Sequence, residues 1–140
     1  MLSALLALPG VGLSQTPPQN LAENYLNSLE EVLRETATAQ DVDRLMFLYS
    51  VDVVYEHSRV GALVRGRDEI TKQMTGMLGL TRNPDTRVHG STKGEGVVVI
   101  DYTLKMEIRS EAGWRAIERR QITVLETNAD GRVKRVLEYW

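Results

Sequence analysis

Two side chains that can move protons, Tyr55 and His57, lie two residues apart in the segment 52–57. A neutral imidazole can accept and return a proton near pH 7, which few other side chains can do. The segment has the composition of a β-strand, in which alternate residues point to the same face. We therefore expect both rings to point into one cavity. The alternatives are a partly solvated strand-end histidine without a role, and a core tyrosine whose hydroxyl bonds the backbone.

These two residues belong to the stretch 47–66, around which the rest of the chain is organised. The stretch is predicted to begin as the end of a helix, to turn at Ser50 and to run extended as far as His57. Residues 61–66 are then expected to form a loop that leads to the next helix, which starts at a Gly-Arg-Asp-Glu sequence. The predicted site thus lies on a strand held between two helices.

Three helices are predicted in the N-terminal half. The first begins at Asn20, a good N-cap with Glu23 three residues on, and carries an apolar stripe at helical spacing. A second, shorter helix is capped by Asp41 and includes Tyr49. The third runs over about residues 67–80, and its interior glycines weaken its end. The stripe of the first helix consists of Leu21, Tyr25, Leu26, Leu29, Val32 and Leu33.

After the Asn-Pro pair at 83–84, the apolar pattern changes to the period of β-strands. Four strands separated by glycine-containing turns are predicted, at 86–91, 96–109, 114–127 and 132–140. Because the helices come first and the strands follow one another, the fold class is predicted to be α+β rather than parallel α/β. The third of these strands has no clean polar face, which fits a sheet covered half by helices and half by a partner subunit.

The composition excludes several classes of function. The net charge is −2 and no basic run is present, so we expect no nucleic-acid partner. The absence of cysteine excludes disulfides, cysteine-based zinc sites and thiol catalysis. No GxSxG, P-loop or GxGxxG motif occurs. A metal site would need His57, His89 and Glu138, which lack the spacing of a typical ligand pair. We therefore expect no metal and no other cofactor.

The N-terminus differs from the rest of the chain. Residues 1–14 are apolar and uncharged, and they are too short to span a bilayer, which needs about 20 apolar residues. They resemble a secretory signal with a cleavage site before Gln15, although a basic residue near the start is missing. Residues 15–19 form a proline-containing linker to a domain at 20–140. We expect a periplasmic or secreted protein without membrane association after signal removal; the alternative is a cytoplasmic protein with an apolar tail.

The order of elements resembles the NTF2-like superfamily and, within it, the SnoaL-like group near ketosteroid isomerase, scytalone dehydratase and limonene-epoxide hydrolase. Three local segments carry the resemblance: Asp-Val-Val-Tyr-Glu-His at 52–57, Gly-Arg-Asp-Glu at 66–69 and Thr-Arg-Val-His-Gly at 86–90. The resemblance covers residues 20–140. It implies three N-terminal helices packed in a curved, mainly antiparallel sheet that forms a cone with a pocket. It also implies a homodimer that pairs sheet against sheet.

The resemblance suggests roles for the polar residues. His57 matches the aspartate base of the isomerase, and Tyr55 and His57 together match residues that hold the water in the epoxide hydrolase. His89 is similar to a histidine that is catalytic in the dehydratase. Glu138 falls where the hydrolase has its general-base aspartate, among neighbours that would suit a general acid or base. Gln121 stands where the family has an acid.

Three of these residues have alternative interpretations. Glu138 could form a salt bridge with Arg119 or Arg120, and His89 could lie on the surface near a turn. Gln121 could satisfy a buried backbone group instead of orienting a substrate carbonyl or hydroxyl.

One departure from the family pattern limits the chemistry. The Arg-x-Asp pair of the epoxide hydrolase falls near Tyr102 and Leu104, so epoxide hydrolysis by that mechanism is not expected.

The leading hypothesis is a cofactor-independent acid–base enzyme (an isomerase, cyclase, dehydratase or hydratase) that acts on a small apolar molecule. His57 would be the base, Tyr55 and Gln121 would bond the oxygen that gains charge, and Glu138 or His89 would carry the second proton. The alternative is a non-catalytic small-ligand-binding or dimerisation domain of the same fold. The predicted catalytic residues are His57, Tyr55 and Glu138, and the predicted substrate-binding residues are Gln121, His89, Tyr102 and Trp140.

Overall fold

The computed structural model describes residues 20–140. The predicted export signal and linker, residues 1–19, lie outside the described residues. Between residues 20 and 140, every helix is too short or too polar to cross a membrane.

Helices α1 (Leu21–Leu33) and α2 (Ala39–Met46) come first in the described chain. The predicted start of α1 is confirmed, because the Asn20 side chain accepts a hydrogen bond from the Glu23 backbone N–H at 3.2 Å. The prediction that Asp41 caps α2 is wrong. Thr38 is the N-cap, and the backbone N–H of Thr38 donates a hydrogen bond to the carboxylate of Asp41 at 2.8 Å. A carboxylate three residues after the cap commonly makes this reciprocal bond.

Strands β1 (Tyr49–His57) and β2 (Ala62–Arg65) form an antiparallel hairpin in which His57 pairs with Ala62. Three predictions for this stretch are therefore wrong. The chain turns at Phe47 and Leu48 rather than at Ser50, which lies within β1. Tyr49 belongs to a strand rather than a helix. Helix α2 ends at Met46, where the backbone N–H of Phe47 donates a hydrogen bond to the backbone carbonyl of Asp43. The segment 61–66, which was expected to be a loop, contains β2. This strand forms because its backbone bonds to β1, and the composition of four residues does not predict such pairing.

Helix α3 (Arg67–Gly76) follows the hairpin directly. Gly66 precedes it with a backbone φ of +89°, a conformation that residues with a Cβ rarely adopt. The helix ends before the predicted residue 80. Gly79 has a φ of +80°, which a right-handed helix cannot contain.

The remaining strands complete one six-stranded sheet in the order β2-β1-β6-β5-β4-β3. All neighbouring pairs are antiparallel except β1 and β6, which run parallel. The prediction of an α+β fold with a mainly antiparallel sheet is confirmed. These strands are β3 (Thr81–Gly94), β4 (Val97–Ser110), β5 (Gly113–Thr127) and β6 (Val133–Tyr139).

Strand β3 begins at Thr81 rather than at the predicted residue 86, and it passes through Pro84. A proline is tolerated here because β3 lies at the edge of the sheet, where one side of its backbone has no strand partner. The register against β4 also shifts between Arg82 and Asp85, which accommodates the missing N–H.

The three helices pack against one face of the sheet, here called the inner face. Helix α1 contacts β3 and β4, and α3 contacts β1. Successive side chains of a strand point to opposite faces, so alternate residues of each strand point to the inner face. Several of these are fully buried in a core that also contains residues of the apolar stripe of α1. They include Val53, Ile100, Tyr102, Leu125 and Val136. The opposite, outer face is not covered by any of these three helices.

Candidate functional site

A cavity of about 310 Å³ lies between the helices and the inner face of the sheet. This volume is at the lower end of the range of about 300–1,000 Å³ that is typical for small-molecule sites. Most of its wall is apolar, and the polar groups are contributed mainly by β1, β5 and β6. The apolar lining consists of Leu29, Leu33, Val64, Ile70, Met74, Met77, Leu104 and Met106. The other lining residues are Tyr25, Tyr55, His57, Gln73, Arg119, Gln121, Glu138 and Trp140.

The register of the sheet explains why these polar residues meet. His57 on β1 is the partner of Glu138 on β6, and Glu138 is the partner of Thr123 on β5. Partners on neighbouring strands point to the same face, as do residues two apart on one strand. Tyr55 and Gln121 therefore point to the inner face as well. The structure places together five of the seven residues that the sequence suggested: Tyr55, His57, Gln121, Glu138 and Trp140.

Glu138 is held by two tyrosine hydroxyls. Tyr55 donates to its Oε2 at 2.6 Å, and Tyr25, from α1, donates to its Oε1 at 3.3 Å. The alternative of a salt bridge with Arg119 or Arg120 is not observed among residues 20–140. Arg120 instead pairs with Asp101 on the outer face at 2.7 Å. The carboxylate of Glu138 is thus fixed by neutral donors within the cavity wall.

The His57 ring is buried, with 6% of its surface exposed, and neither of its nitrogens has a hydrogen-bond partner in the described part of the chain. The ring meets the edge of Trp140 at 4.5 Å between centroids and an interplanar angle of 80°. The alternative of a partly solvated histidine is therefore wrong. A buried donor or acceptor left unpaired costs about 1–3 kcal/mol. Both ring nitrogens are themselves buried, so a molecule in the cavity would bond one of them only after a shift of the neighbouring side chains.

The tyrosines near Glu138 are kept protonated. Burial raises the pKa of Tyr25, Tyr49, Tyr55 and Tyr102 above the ordinary value, and the negative charge of Glu138 raises it further. For Tyr55, the hydrogen bond that it donates to Glu138 adds to this effect. These hydroxyls can therefore donate hydrogen bonds, but they do not act as bases at neutral pH.

Two predicted substrate-binding residues do not line the cavity. Tyr102 is fully buried, and its hydroxyl lies 3.1 Å from Oγ1 of Thr123, within the packed core. His89 is exposed, and its Nε2 lies 2.6 Å from Oγ1 of Thr103. Strand alternation alone could not place His89, because the register of β3 shifts between Val88 and Gly90. His89 is therefore not positioned to carry a second proton in this cavity.

Because His89 lies apart from His57, the residues His57, His89 and Glu138 do not form the metal site that was considered from the sequence. Between residues 20 and 140, no group of three or more histidine, aspartate and glutamate side chains is arranged to hold a metal ion.

Three polar cavity residues were missed as site residues in the sequence, namely Tyr25, Gln73 and Arg119. Tyr25 was assigned only to the apolar stripe of the first helix, and Arg119 only to a partner for Glu138. For Tyr25 a signal existed, because a tyrosine within an otherwise aliphatic stripe needs a partner for its hydroxyl. Arg119 had no comparable signal, since the strand that carries it is not clearly amphipathic.

We predict that four of the five tyrosines titrate late in the folded protein. Tyrosines of the unfolded chain lose their protons near pH 10, whereas those with raised pKa keep them. The unfolded state then binds fewer protons than the native state, so the contribution of these tyrosines to the free energy of unfolding is constant below about pH 9 and falls as pH rises above about 10. Tyrosinate absorbance and urea midpoints across this range measure both effects.

Two variants serve as controls for the tyrosine titration. Tyr55→Phe should remove one late-titrating group. Glu138→Gln, which removes the charge but keeps an acceptor, should move the onset to lower pH. Ionisation of all five tyrosines together near pH 10 in the folded protein would contradict the account.

Comparisons with known proteins identify the fold. The model of the SnoaL-like domain matches residues 29–136. Comparison with the sequences of curated proteins gives no significant match. Among solved structures, the chain is similar to a protein from Shewanella denitrificans OS-217 assigned as a SnoaL-like polyketide cyclase. The identity is 17%, the TM-score is 0.72, and the match covers 86% of this chain and 87% of that one.

Two further solved structures share the fold. An LEH-like epoxide hydrolase from Mycobacterium tuberculosis is 19% identical, with a TM-score of 0.66 and coverage of 84% of this chain and 77% of that one. RV0760c from the same organism, solved in complex with estradiol-17beta-hemisuccinate, is 15% identical, with a TM-score of 0.64 and coverage of 85% and 89%. Since the family model spans most of the chain, the protein belongs to the SnoaL-like domain family of the NTF2-like fold.

Proposed function

We propose that this protein is a cofactor-independent acid–base enzyme of the isomerase, cyclase, dehydratase or hydratase type, acting on a small, mostly apolar molecule. The observation that carries the proposal is the His57 ring, which is buried at the cavity wall with both nitrogens unpaired within residues 20–140. A histidine with a merely structural role is expected to use at least one nitrogen in a hydrogen bond. A substrate in the cavity would provide the partner.

In the proposed mechanism, His57 removes a proton from a carbon next to a substrate carbonyl. The electron pair of the broken C–H bond moves to the carbonyl oxygen and forms an enolate. The carboxamide N–H of Gln121, which lies on the same wall, donates a hydrogen bond to that oxygen. In a β,γ-unsaturated ketone, return of the proton from the His57 imidazolium to the γ-carbon gives isomerisation. In a β-hydroxy ketone, the imidazolium gives its proton to the hydroxyl group, which leaves as water, and the electron pair of the enolate forms the C=C bond of the dehydrated product.

Glu138 is the neighbour of the proposed base on β6. It lies beside His57 in the parallel register, and both side chains line the same cavity. Because the Tyr55 hydroxyl is engaged with Glu138 at 2.6 Å, it holds the carboxylate rather than the substrate oxygen. This differs from the role predicted for Tyr55 from the sequence. Tyr25 acts as a second positioning residue.

The similar solved structures support an enzymatic function in general terms, since they include proteins described as an epoxide hydrolase and a polyketide cyclase. Epoxide hydrolysis by an Arg-x-Asp pair is not proposed. Of the two residues at the corresponding positions, Tyr102 bonds Thr123 within the core, and Leu104 contributes an apolar wall to the cavity.

A non-catalytic ligand-binding domain is the second candidate function. The observation in its favour is the apolar wall, formed by eight aliphatic and methionine side chains. Such a wall would retain an apolar molecule without any proton transfer. A cavity that binds ketones but does not exchange their protons would favour this candidate.

The proposed base can be tested by deuterium exchange of the α-protons of 2-tetralone, a two-ring ketone, followed by NMR in D2O. Wild-type protein should accelerate the exchange, and His57→Ala should lose about 100-fold or more of the acceleration. The chain contains one other histidine, His89, which lies outside the cavity and provides a matched control. His89→Ala should exchange at the wild-type rate.

Exchange by His57→Ala at the wild-type rate would overturn the proposed mechanism. Thermal unfolding of both variants verifies that the fold is intact, since removal of the large His57 ring could also loosen the cavity wall.

We further propose that the protein is a homodimer formed through the outer face of its sheet. Ile122 and Tyr139 are paired in register there, and they are 40% and 44% exposed. Val124 pairs with Leu137 in the next row and with Val99 on the other side. The outer patch formed by these five residues crosses three strands, and a contiguous apolar surface of this kind commonly marks an interface.

Light scattering coupled to gel filtration tests this interface. Wild-type protein should have the mass of two chains, and Ile122→Glu should be monomeric, because a charge buried in an interface is strongly unfavourable. Val60→Glu, at an apolar residue that is 63% exposed but outside the outer patch, is the control and should remain dimeric. A monomeric wild type would refute the proposal.

A further inference from the structure

Arg119 is a charged cavity residue to which the proposed reaction gives no task. It lies on the inner face of β5 and is partly buried. Its neighbour Arg120 points to the outer face and binds Asp101 with two hydrogen bonds of 2.9 and 2.7 Å. Arg119, in contrast, forms no ion pair with any residue from 20 to 140. Its positive charge lacks an acidic partner.

The guanidinium of Arg119 is held in place by an indole. Its central carbon lies 3.5 Å from the ring centroid of Trp140, which corresponds to a cation–π contact. A guanidinium presents its N–H donors in its own plane, so a ring that covers one of its faces leaves those donors accessible. Two parallel N–H groups in one plane match the two oxygens of a carboxylate. The stacking therefore orients Arg119 for a planar anion.

The charges of the cavity wall favour an external partner for Arg119. Among residues 20–140, Glu138 is the only acidic residue that lines the cavity, and its two oxygens accept hydrogen bonds from Tyr55 and Tyr25. No Arg119–Glu138 contact falls within ion-pair distance. The rest of the lining is largely apolar, so an anion that reaches Arg119 would be in a poorly solvated setting, where charge-assisted hydrogen bonds are strong.

Arg119 and His57 contact the same side chain. Trp140 stacks on the guanidinium and meets the His57 ring at 4.5 Å between centroids. The distance between the guanidinium carbon and the His57 ring centroid therefore cannot exceed the sum of their distances to the Trp140 ring centroid. One small molecule can reach both groups at once.

We propose that the ligand of this cavity is an amphipathic acid, with an apolar body that fills the wall and a carboxylate that Arg119 binds at the Trp140 end. The carbon that loses its proton faces His57. This inference rests on the proposed function for the location of the site, and its test does not require proton transfer.

The test compares the binding of 2-naphthoate with that of 2-naphthamide, its neutral counterpart of the same shape. Each is titrated by calorimetry at pH 7, where the carboxylate is ionised. Wild-type protein should bind the naphthoate at least about tenfold more tightly. Arg119→Gln should abolish this preference while its affinity for the amide stays within about threefold of wild type. Arg87→Gln removes the same charge from an exposed site on β3 and should keep the preference.

Equal affinity of wild-type protein for the two probes would overturn the proposal, as would the absence of measurable binding of 2-naphthoate. A preference retained by Arg119→Gln would place the anion elsewhere and would also overturn it. If Arg119→Gln does not fold, Arg119→Lys is the deciding variant. Its ammonium keeps the positive charge but lacks the planar pair of donors, so the preference for 2-naphthoate over 2-naphthamide must fall. An acid preference without α-proton exchange would support this inference while refuting the proposed enzyme, which keeps the two failures distinguishable.

Discussion

The parallel pairing of β1 with β6 is the constraint on which the rest of the structure depends. It joins the first strand of the chain's described part to the last and sets His57 beside Glu138. A carboxylate in this part-buried position needs hydrogen-bond donors, because burial of an unpaired charge is costly. Tyr55 provides one from β1 and Tyr25 provides the other from α1. A helix, the first strand and the last strand are thus connected through one side chain.

The polar groups of the cavity differ in how well the protein satisfies them. Glu138 is bonded on both oxygens, whereas His57 and Arg119 lack a hydrogen-bond partner and an ion-pair partner, respectively, within residues 20–140. A fully bonded group stabilises the fold, while an unpaired buried group reduces stability unless a ligand completes it. In the proposed function, Glu138 and its tyrosines therefore have a positioning role. His57 and Arg119 are the groups proposed to interact with the molecule that enters.

Much of the site could be predicted from local pattern. The spacing of Tyr55 and His57 fixes their common face because a strand has period two, and the capping sequence at Asn20 fixes the start of α1. His89 could not be placed, because a register shift in an edge strand depends on pairing rather than on sequence pattern. For Tyr25, the sequence indicates that its hydroxyl needs a partner but does not identify Glu138, which lies 113 residues away in the chain. The resemblance to the SnoaL-like group supplied the long-range topology that periodicity alone does not give.

The proposed function requires the ligand to contact the unpaired nitrogens of His57. Imidazole ¹⁵N NMR tests this most directly, since the chain has two histidines and His89→Ala assigns their resonances. Saturation with 2-tetralone should shift the resonances of both ring nitrogens of His57, because the ring gains a polar or steric contact, and should leave those of His89 unchanged. Unaltered His57 resonances at saturation would contradict the account.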